Sequence, residues 1–154
     1  MSAERLRTYL IEHGVDYEIH QHAMAYTTAE VAEAEHVSGK EMAKPVMLMA
    51  DDRLVMAVVP GDRMVDLEKA GEALGAETVR LAEEEEFAQS FPDCEPGAEP
   101  PFGALYEVPT LVDEALDTPR ITFNAGTHSE TISMAVADYL ELTNPMRADL
   151  TIGD

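Results

Sequence analysis

The segment AKPVMLMADDRLVMAVVP, residues 43–60, contains two apolar runs of strand length separated by an acidic pair. This arrangement predicts a β-hairpin that turns at Asp51-Asp52 and continues as a second strand over Leu54–Val59. Pro45 stands at the start of the first run, where a strand tolerates proline. The hairpin places Lys44 at the mouth of a buried strand.

Short helices and further strands are predicted on both sides of this hairpin. Thr27 or Thr28 can cap a helix to about His36, with Glu30 placed for a capping box with Thr27. Asp66 opens a helix that Gly75 closes. The remaining helices are predicted at 2–13, with Ser2 as the cap, at 82–90 and up to about 142, and the remaining strands at 15–20, 77–81, 104–112, 120–124 and 132–135 and near 149. Because strands and helices do not alternate regularly, the fold class is α+β.

Composition excludes several classes of protein. The 154 residues fit one domain, spanning 1–154. Cys94 is the only cysteine, which excludes a disulfide framework and a cysteine-based zinc cluster, and its acidic neighbourhood predicts an inert thiol. His20-Gln21-His22 has a spacing that metals use but lacks a third ligand nearby, so neither a metal nor a cofactor is expected. Charged residues interrupt the N-terminal segment and every long apolar run, so we expect a cytoplasmic protein without a signal peptide or membrane span.

Two more segments carry chemistry-bearing residues in a suggestive order. Gly97–Gly103 is a Gly/Pro loop that can present backbone N–H groups, and Asn124–His128 is a strand-to-loop turn that ends in histidine. A cation, a backbone nest and an imidazole together suit a polar acyl ester and its developing oxyanion. Each also has a plain interpretation: a snorkelling surface lysine, a turn-rich connection and a solvated loop histidine. Spacing alone names no reaction.

The chain resembles the YbaK/EbsC family from Tyr9 to about Asp149. The resemblance rests on residues 25–32 (AYTTAEVA), on Lys44 at the head of its strand, on Gly97-x-x-x-Pro101 and on Gly126-x-His128. The two glycine patterns are weak in isolation, but their order around a strand-borne lysine is specific. The family includes stand-alone aminoacyl-tRNA deacylases related to the editing insertion of bacterial prolyl-tRNA synthetases.

The resemblance implies a fold and a set of site residues. The fold is a curved, mostly antiparallel or mixed barrel-like sheet surrounded by short helices. Lys44 matches the family's essential lysine, which binds or polarises the terminal adenosine and aminoacyl group. Gly97–Pro101 matches the loop that contacts the aminoacyl carbonyl and limits side-chain size, and Gly126 and His128 match the lining of the aminoacyl pocket. Further substrate-binding residues are expected at Thr27, Thr28, Met47, Phe102 and Gly103.

The implied function is trans-editing, which is hydrolysis of mischarged aminoacyl-tRNA, here on tRNA for proline. These residues contain no nucleophile with a base and an orienting acid, so water or a substrate group is expected to attack a positioned ester. The expected partner is the tRNA acceptor end, and a synthetase is a further possible partner. The alternatives are a non-catalytic tRNA- or synthetase-binding module and a small-molecule esterase.

The net charge is unusual for a protein that touches RNA. Thirty-one acids against ten bases give a formal net charge of −21, and an acidic surface repels the phosphate backbone. A small basic patch of Lys40, Lys44 and Arg53 is expected to receive only the terminal nucleotides. Molar salt shortens the range of the repulsion to about 3 Å.

Overall fold

The structure is a computed structural model that describes residues 4–22, 24–25, 27–35 and 37–152. The α-helices of these residues are α1 (Glu4–Glu12), α2 (Thr28–Glu35), α3 (Leu67–Leu74), α4 (Glu84–Phe87) and α5 (Val136–Thr143). The strands are β1 (Tyr17–Gln21), β2 (Ala43–Ala50), β3 (Arg53–Pro60), β4 (Val79–Leu81), β5 (Thr110–Asp113), β6 (Arg120–Asn124), β7 (Glu130–Ala135) and β8 (Met146–Ala148). The α+β class is confirmed.

The hairpin predicted from residues 43–60 is the centre of the larger sheet. β2 and β3 pair antiparallel without interruption, from Ala43 opposite Pro60 to Ala50 opposite Arg53. Asp51 and Asp52 make the turn with positive φ angles of 47° and 65°, which short polar side chains tolerate better than most. Asp51 also accepts hydrogen bonds from the backbone N–H groups of Glu77 and Thr78, which tie the turn to the segment before β4.

The strands form two sheets rather than one. The larger has the order β4-β2-β3-β5-β8 and the smaller has the order β1-β7-β6. β3–β5 and β5–β8 pair parallel and the other pairs antiparallel. An isolated parallel bridge between Met42 and Thr122 joins the sheets at β2 and β6. The mixed sheet is confirmed, but the strands of the described residues do not close into a barrel.

The two faces of β2 pack into different parts of the core. Met47 belongs to the main apolar cluster, with Phe102, Phe123 and α1 residues. Leu48 belongs to a second cluster, which lies between the sheet and α3. Since side chains alternate along a strand, even-numbered positions of β2, Lys44 included, lie on the face of the second cluster.

Helix boundaries follow the predicted caps where the structure describes them. Thr27 and Glu30 form the predicted capping box of α2, since each side chain accepts from the other residue's backbone N–H at 3.1 and 3.0 Å. Asp66 caps α3, and Gly75 ends it with a φ of 68°. The predicted cap Ser2 and the predicted helix end His36 lie outside the described residues. None of the described helices has the length and apolarity needed to cross a membrane.

Two elements differ from the prediction. The strand predicted over 104–112 is wrong in its first half, because Gly103–Tyr106 is a 3₁₀ turn and only Thr110–Asp113 is extended. The Val108 N–H donates to the Gly103 carbonyl at 2.8 Å and so stabilises this turn. The spacing of apolar residues, on which the strand prediction was based, does not indicate such a hydrogen bond. The helix predicted over 82–90 is shorter, with an α-helical part at Glu84–Phe87 and a 3₁₀ turn at Ala88–Ser90.

Candidate functional site

Two turns of the chain pair through their backbones. The Glu95 N–H donates to the Gly126 carbonyl at 2.7 Å, and the Gly126 N–H donates to the Ala98 carbonyl at 3.0 Å. The Ala98 N–H in turn donates to the Glu95 carbonyl at 3.0 Å. The predicted loop at Gly97 and the predicted turn at Gly126 are therefore direct neighbours.

His128 is held against this loop at two points. Its backbone N–H donates to the Glu95 carboxylate at 2.8 Å, and its ring Nε2 lies 2.9 Å from the Pro96 carbonyl oxygen. The residue is buried, with 8% of its surface exposed. The imidazole is therefore a fixed part of the site and not a solvated loop side chain.

Gly97 lies directly beneath the His128 ring. A Cβ atom at Gly97 would be 3.3 Å from His128 Cε1, closer than most real contacts, and the φ of Gly97 is +89°. Both the backbone angle and the close approach require glycine here. The structure thus brings Gly97, Gly126 and His128 together.

Pro101, Phe102 and Gly103 anchor the far end of the loop to the core. The Tyr139 hydroxyl donates to the Pro101 carbonyl at 2.7 Å, and the Phe102 ring packs edge-on against Tyr139 at a centroid distance of 5.1 Å. Gly103 is packed against Thr110 and Val108 too closely for any side chain. These three residues support the loop from behind, beside an apolar cavity of about 260 Å³ that Tyr9 and Leu142 also line.

Lys44 makes a different set of contacts. Its Nζ donates to the Arg63 carbonyl at 3.0 Å. Partial burial lowers the pKa of Lys44 below its ordinary value, and the charge of Asp62 opposes this effect. The ammonium is therefore poorly solvated and is held at a backbone carbonyl on the second-cluster face of the sheet.

The junction of the two sheets joins the strand of Lys44 to the β6–β7 hairpin. Met42, two residues before Lys44, bridges Thr122, two residues before Asn124, in the parallel sense. Asn124 pairs with Thr131 across the hairpin. Because side chains alternate along each strand, Thr122, Asn124 and Thr131 lie on one face of the hairpin, and His128 lies in the turn between Asn124 and Thr131.

The remaining predicted substrate residues lie around this corner. Thr27 is exposed, and its hydroxyl caps α2. Thr28 begins α2, and its side chain lies outside the described part of the chain. Met47 is buried in the main cluster, and its carbonyl accepts from the Ala82 N–H at 2.9 Å.

Sequence reasoning missed two carboxylates in the loop. Glu95 binds the His128 backbone, and the Glu99 oxygens accept from the Gly97 N–H at 3.1 and 3.2 Å. Glu99 is 4% exposed. Because the sequence contains 31 acidic residues, these two do not stand out from the acids expected on the surface. Only their positions within the Gly/Pro loop could have identified them.

The burial of Glu99 predicts a pH-dependent change in stability. Burial raises the pKa of Glu99, while backbone N–H groups and the charge of His128 partly offset it. Ionising Glu99 is therefore less favourable in the folded protein than in the unfolded chain, where its pKa is about 4.3. As the pH rises from that value through the pKa of Glu99 in the folded protein, the folded state loses stability. Glu99→Gln should therefore gain stability relative to wild type as the pH rises above about 4.3, measured by urea unfolding. A constant difference as the pH rises would contradict the assignment.

Two other predicted features are resolved by the structure. Burial raises the pKa of the Cys94 thiol to about 12, in agreement with the inert thiol predicted. Arg53 is paired with Ala50 at the opposite end of the hairpin from Lys44, so the prediction that Arg53 belongs to the basic patch is wrong. Arg63 takes that place, on a shallow depression that it shares with Lys40 and Asp62.

Among the residues that the structure describes, no group of three His, Cys, Asp or Glu side chains could hold a metal ion. His20 lies 3.2 Å from the Glu18 carboxylate on the surface. His22 is buried, 3.8 Å from Glu35. The two imidazoles therefore have different surroundings.

Known proteins share both the sequence pattern and the fold of this chain. The model of the aminoacyl-tRNA editing domain matches residues 22–142, which include every predicted site residue. The chain belongs to the aminoacyl-tRNA editing domain family. A crystal structure described provisionally as a trans-editing enzyme for prolyl-tRNA synthetase superposes on the chain with a TM-score of 0.85. That structure is 25% identical, and the alignment covers 98% of this chain and 97% of that one.

Curated relatives of this editing domain are of two kinds. The multifunctional Ser/Thr-tRNA deacylase ProXp-y of Escherichia coli (strain K12) is 25% identical over 148 residues, covering 92% of this chain and 88% of the relative. The proline–tRNA ligase of Acidithiobacillus ferrooxidans (strain ATCC 53993 / BNL-5-31) is 32% identical over 126 residues, covering 80% of this chain and 22% of the ligase. The chain spans only 13% of the length of the Bacillus velezensis ligase.

Proposed function

We propose that this protein is a trans-editing deacylase, which hydrolyses the ester of mischarged aminoacyl-tRNA, with tRNA for proline as its substrate. The observation that carries the proposal is the pairing of the Gly97 loop with the Gly126 turn against the His128 ring, on the hairpin that the Met42–Thr122 bridge joins to the strand of Lys44. Family membership and the relatives named for tRNA deacylation and for proline–tRNA ligation support it. The proposal treats residues 1–154 as one editing domain that acts in the cytoplasm.

The hydrogen bonds of the Gly97 loop and the Gly126 turn determine which groups can stabilise the oxyanion that forms when water adds to the ester. The Gly97 and His128 N–H groups donate to carboxylates, and the Gly126 and Ala98 N–H groups donate to carbonyls. These four backbone N–H groups are thus already bonded within the chain. We therefore assign the electrostatic role to the Lys44 ammonium, which has three N–H donors and gives one of them to the Arg63 carbonyl, and the positioning role to the loop and His128.

The proposed reaction needs little acid–base chemistry from the protein. Water adds to the ester carbonyl, the bond to the terminal ribose oxygen breaks, and the amino acid and the free tRNA 3′ end are released. Positioning the ester beside a fixed cation contributes to the rate through orientation and through charge stabilisation. The acyl ester is itself activated, so no covalent intermediate is required.

The acidic surface limits the contact with RNA. With a net charge of −21, the protein repels the phosphate backbone except near Lys40, Lys44 and Arg63. We therefore propose that only the acceptor end of the tRNA is bound. Salt at about 1 M reduces the repulsion between exposed charges to a range of about 3 Å.

A panel of substrates tests the proposal against both alternatives. We expect the protein to release the amino acid from tRNA for proline charged with alanine, cysteine or serine, faster than the uncatalysed rate, at about 0.1 M or about 1 M salt. Hydrolysis is followed by loss of the radiolabelled aminoacyl group. Binding of these tRNAs without turnover would instead support a non-catalytic module, and cleavage of simple esters alone would support an esterase.

A further inference from the structure

The apolar cavity of about 260 Å³ at the far end of the Gly97 loop has no part in the proposed reaction. It lies between α1, α5 and the 3₁₀ turn that follows Phe102. Phe102 is buried at its floor, whereas Ala104 and Met146 are exposed at its rim. The cavity therefore has a closed floor and an open entrance, and it is larger than a cavity of about 150 Å³, which is enough to bind benzene.

The lining of this cavity excludes charged ligands. Charged residues make up 27% of the chain, yet none of the described residues that line the cavity is charged. An anion would find no cation in the lining and would be repelled by a protein of net charge −21. A cation would be buried against apolar side chains without a carboxylate beside it, which is costly. The ligand that fits is therefore neutral.

Two aromatic rings shape one wall of the cavity. The rings of Tyr9 and Phe102 both line it, with their centroids 6.5 Å apart and their planes at 64° to each other. A further ring packed beside such a pair gains edge-to-face contact in addition to the apolar area that it buries. The wall therefore favours a small aromatic ligand.

The hydroxyl groups of the lining determine which polar group this ligand needs. Three hydroxyls line the cavity, and each donates its proton to a backbone carbonyl of the chain: Tyr9 at 3.2 Å, Thr110 at 3.2 Å and Thr143 at 2.7 Å. A hydroxyl that donates can still accept. These groups therefore present acceptors to the cavity, and a ligand meets them with an O–H or N–H group.

We propose that this cavity binds a small neutral aromatic molecule that carries a hydroxyl or N–H donor. Its floor belongs to the loop that holds Gly97 beneath the His128 ring, but neither Lys44 nor His128 lines it. The ligand therefore lies against the outer end of the loop and not at the ester. This inference does not depend on the proposed function, because the cavity and its lining are the same whichever reaction the protein catalyses.

Three probes that differ in one group test the chemistry of the cavity. p-Cresol is neutral at about pH 7, because a phenol has a pKa of about 10, and it should bind with a Kd of about 1 mM or lower in a calorimetric titration. The ether 4-methylanisole cannot donate and should bind about tenfold more weakly, and the anion 4-methylbenzoate should not bind. A weaker Kd for p-cresol, or equal binding of either analogue, would overturn the proposal.

Substitutions locate the bound p-cresol. Ala104→Phe places a ring at the entrance and should weaken binding by about tenfold or more. Its matched control, Ala34→Phe at an exposed alanine of α2, should leave binding unchanged. Lys44→Ala should also bind p-cresol as wild type does, since Lys44 does not line the cavity. Loss of binding in Lys44→Ala but not in Ala104→Phe would place the probe in the candidate site and overturn the proposal.

Methyl NMR spectra of the wild-type protein locate the probe without any substitution. p-Cresol should shift the methyl resonances of Leu105, Leu142 and Met146, which line the cavity. It should leave those of Leu48 and Val59, which belong to the second cluster, unchanged. Shifts that spare the three lining residues would overturn the assignment of this cavity as the binding site.

Discussion

Lys44→Ala should reduce the deacylation rate about a hundredfold to a thousandfold, which is the typical effect of removing one preorganised group from an oxyanion. The Gly97, Ala98, Gly126 and His128 N–H groups are all bonded within the protein, so they cannot replace the lost ammonium without breaking an existing hydrogen bond. The rate is measured as release of the amino acid from mischarged tRNA at saturating enzyme.

The chain offers a matched control for this substitution. Lys69 also donates to a backbone carbonyl, that of Thr151 at 2.8 Å, and forms an ion pair with Asp149 on the surface. Lys69→Ala changes the net charge by the same unit, and exposed ion pairs contribute little to stability, so it should leave deacylation within about twofold. Lys44→Met, which keeps the apolar stem, controls for packing. Deacylation by Lys44→Ala at the wild-type rate would remove Lys44 from the mechanism.

The sequence predicts the parts of this fold that depend on local chemistry. The β2–β3 hairpin, the Thr27–Glu30 capping box and the Asp66 and Gly75 caps are all confirmed, because each depends on neighbouring residues. The strand predicted over 104–112 fails because a turn stabilised by Gly103 and Val108 interrupts it. Apolar residues in such a turn serve the core without forming a strand.

In the candidate site too, the residues set by local sequence could be predicted, and those set by tertiary structure could not. Gly97, Gly126 and His128 could be selected from spacing and resemblance, and they lie together. The side to which Lys44 projects depends on the register of β2 and on its bridge to β6, which no local pattern encodes.

Gly97→Ala should reduce deacylation by about a hundredfold or more and change which amino acids are removed. The added methyl group would lie 3.3 Å from His128 Cε1, so the imidazole has to move or the loop has to retreat. A displacement of about 1 Å at a reacting centre can cost a factor of about 10² in rate. The rate is measured on the same set of mischarged tRNAs for wild type and variant.

Gly75→Ala separates this effect from backbone strain. Gly75 has a comparable positive φ of 68°, but nothing lies within 4 Å of an added Cβ. Placing alanine in the left-handed region costs about 1–2 kcal/mol, which is the loss of unfolding free energy in urea that we expect for Gly75→Ala. Gly97→Ala should lose at least as much, because its methyl group also meets His128. Only Gly97→Ala should alter deacylation, because only its methyl group meets His128. Equal losses of activity in the two variants would show that strain alone is responsible, and an unchanged substrate profile in Gly97→Ala would exclude this loop from the aminoacyl pocket.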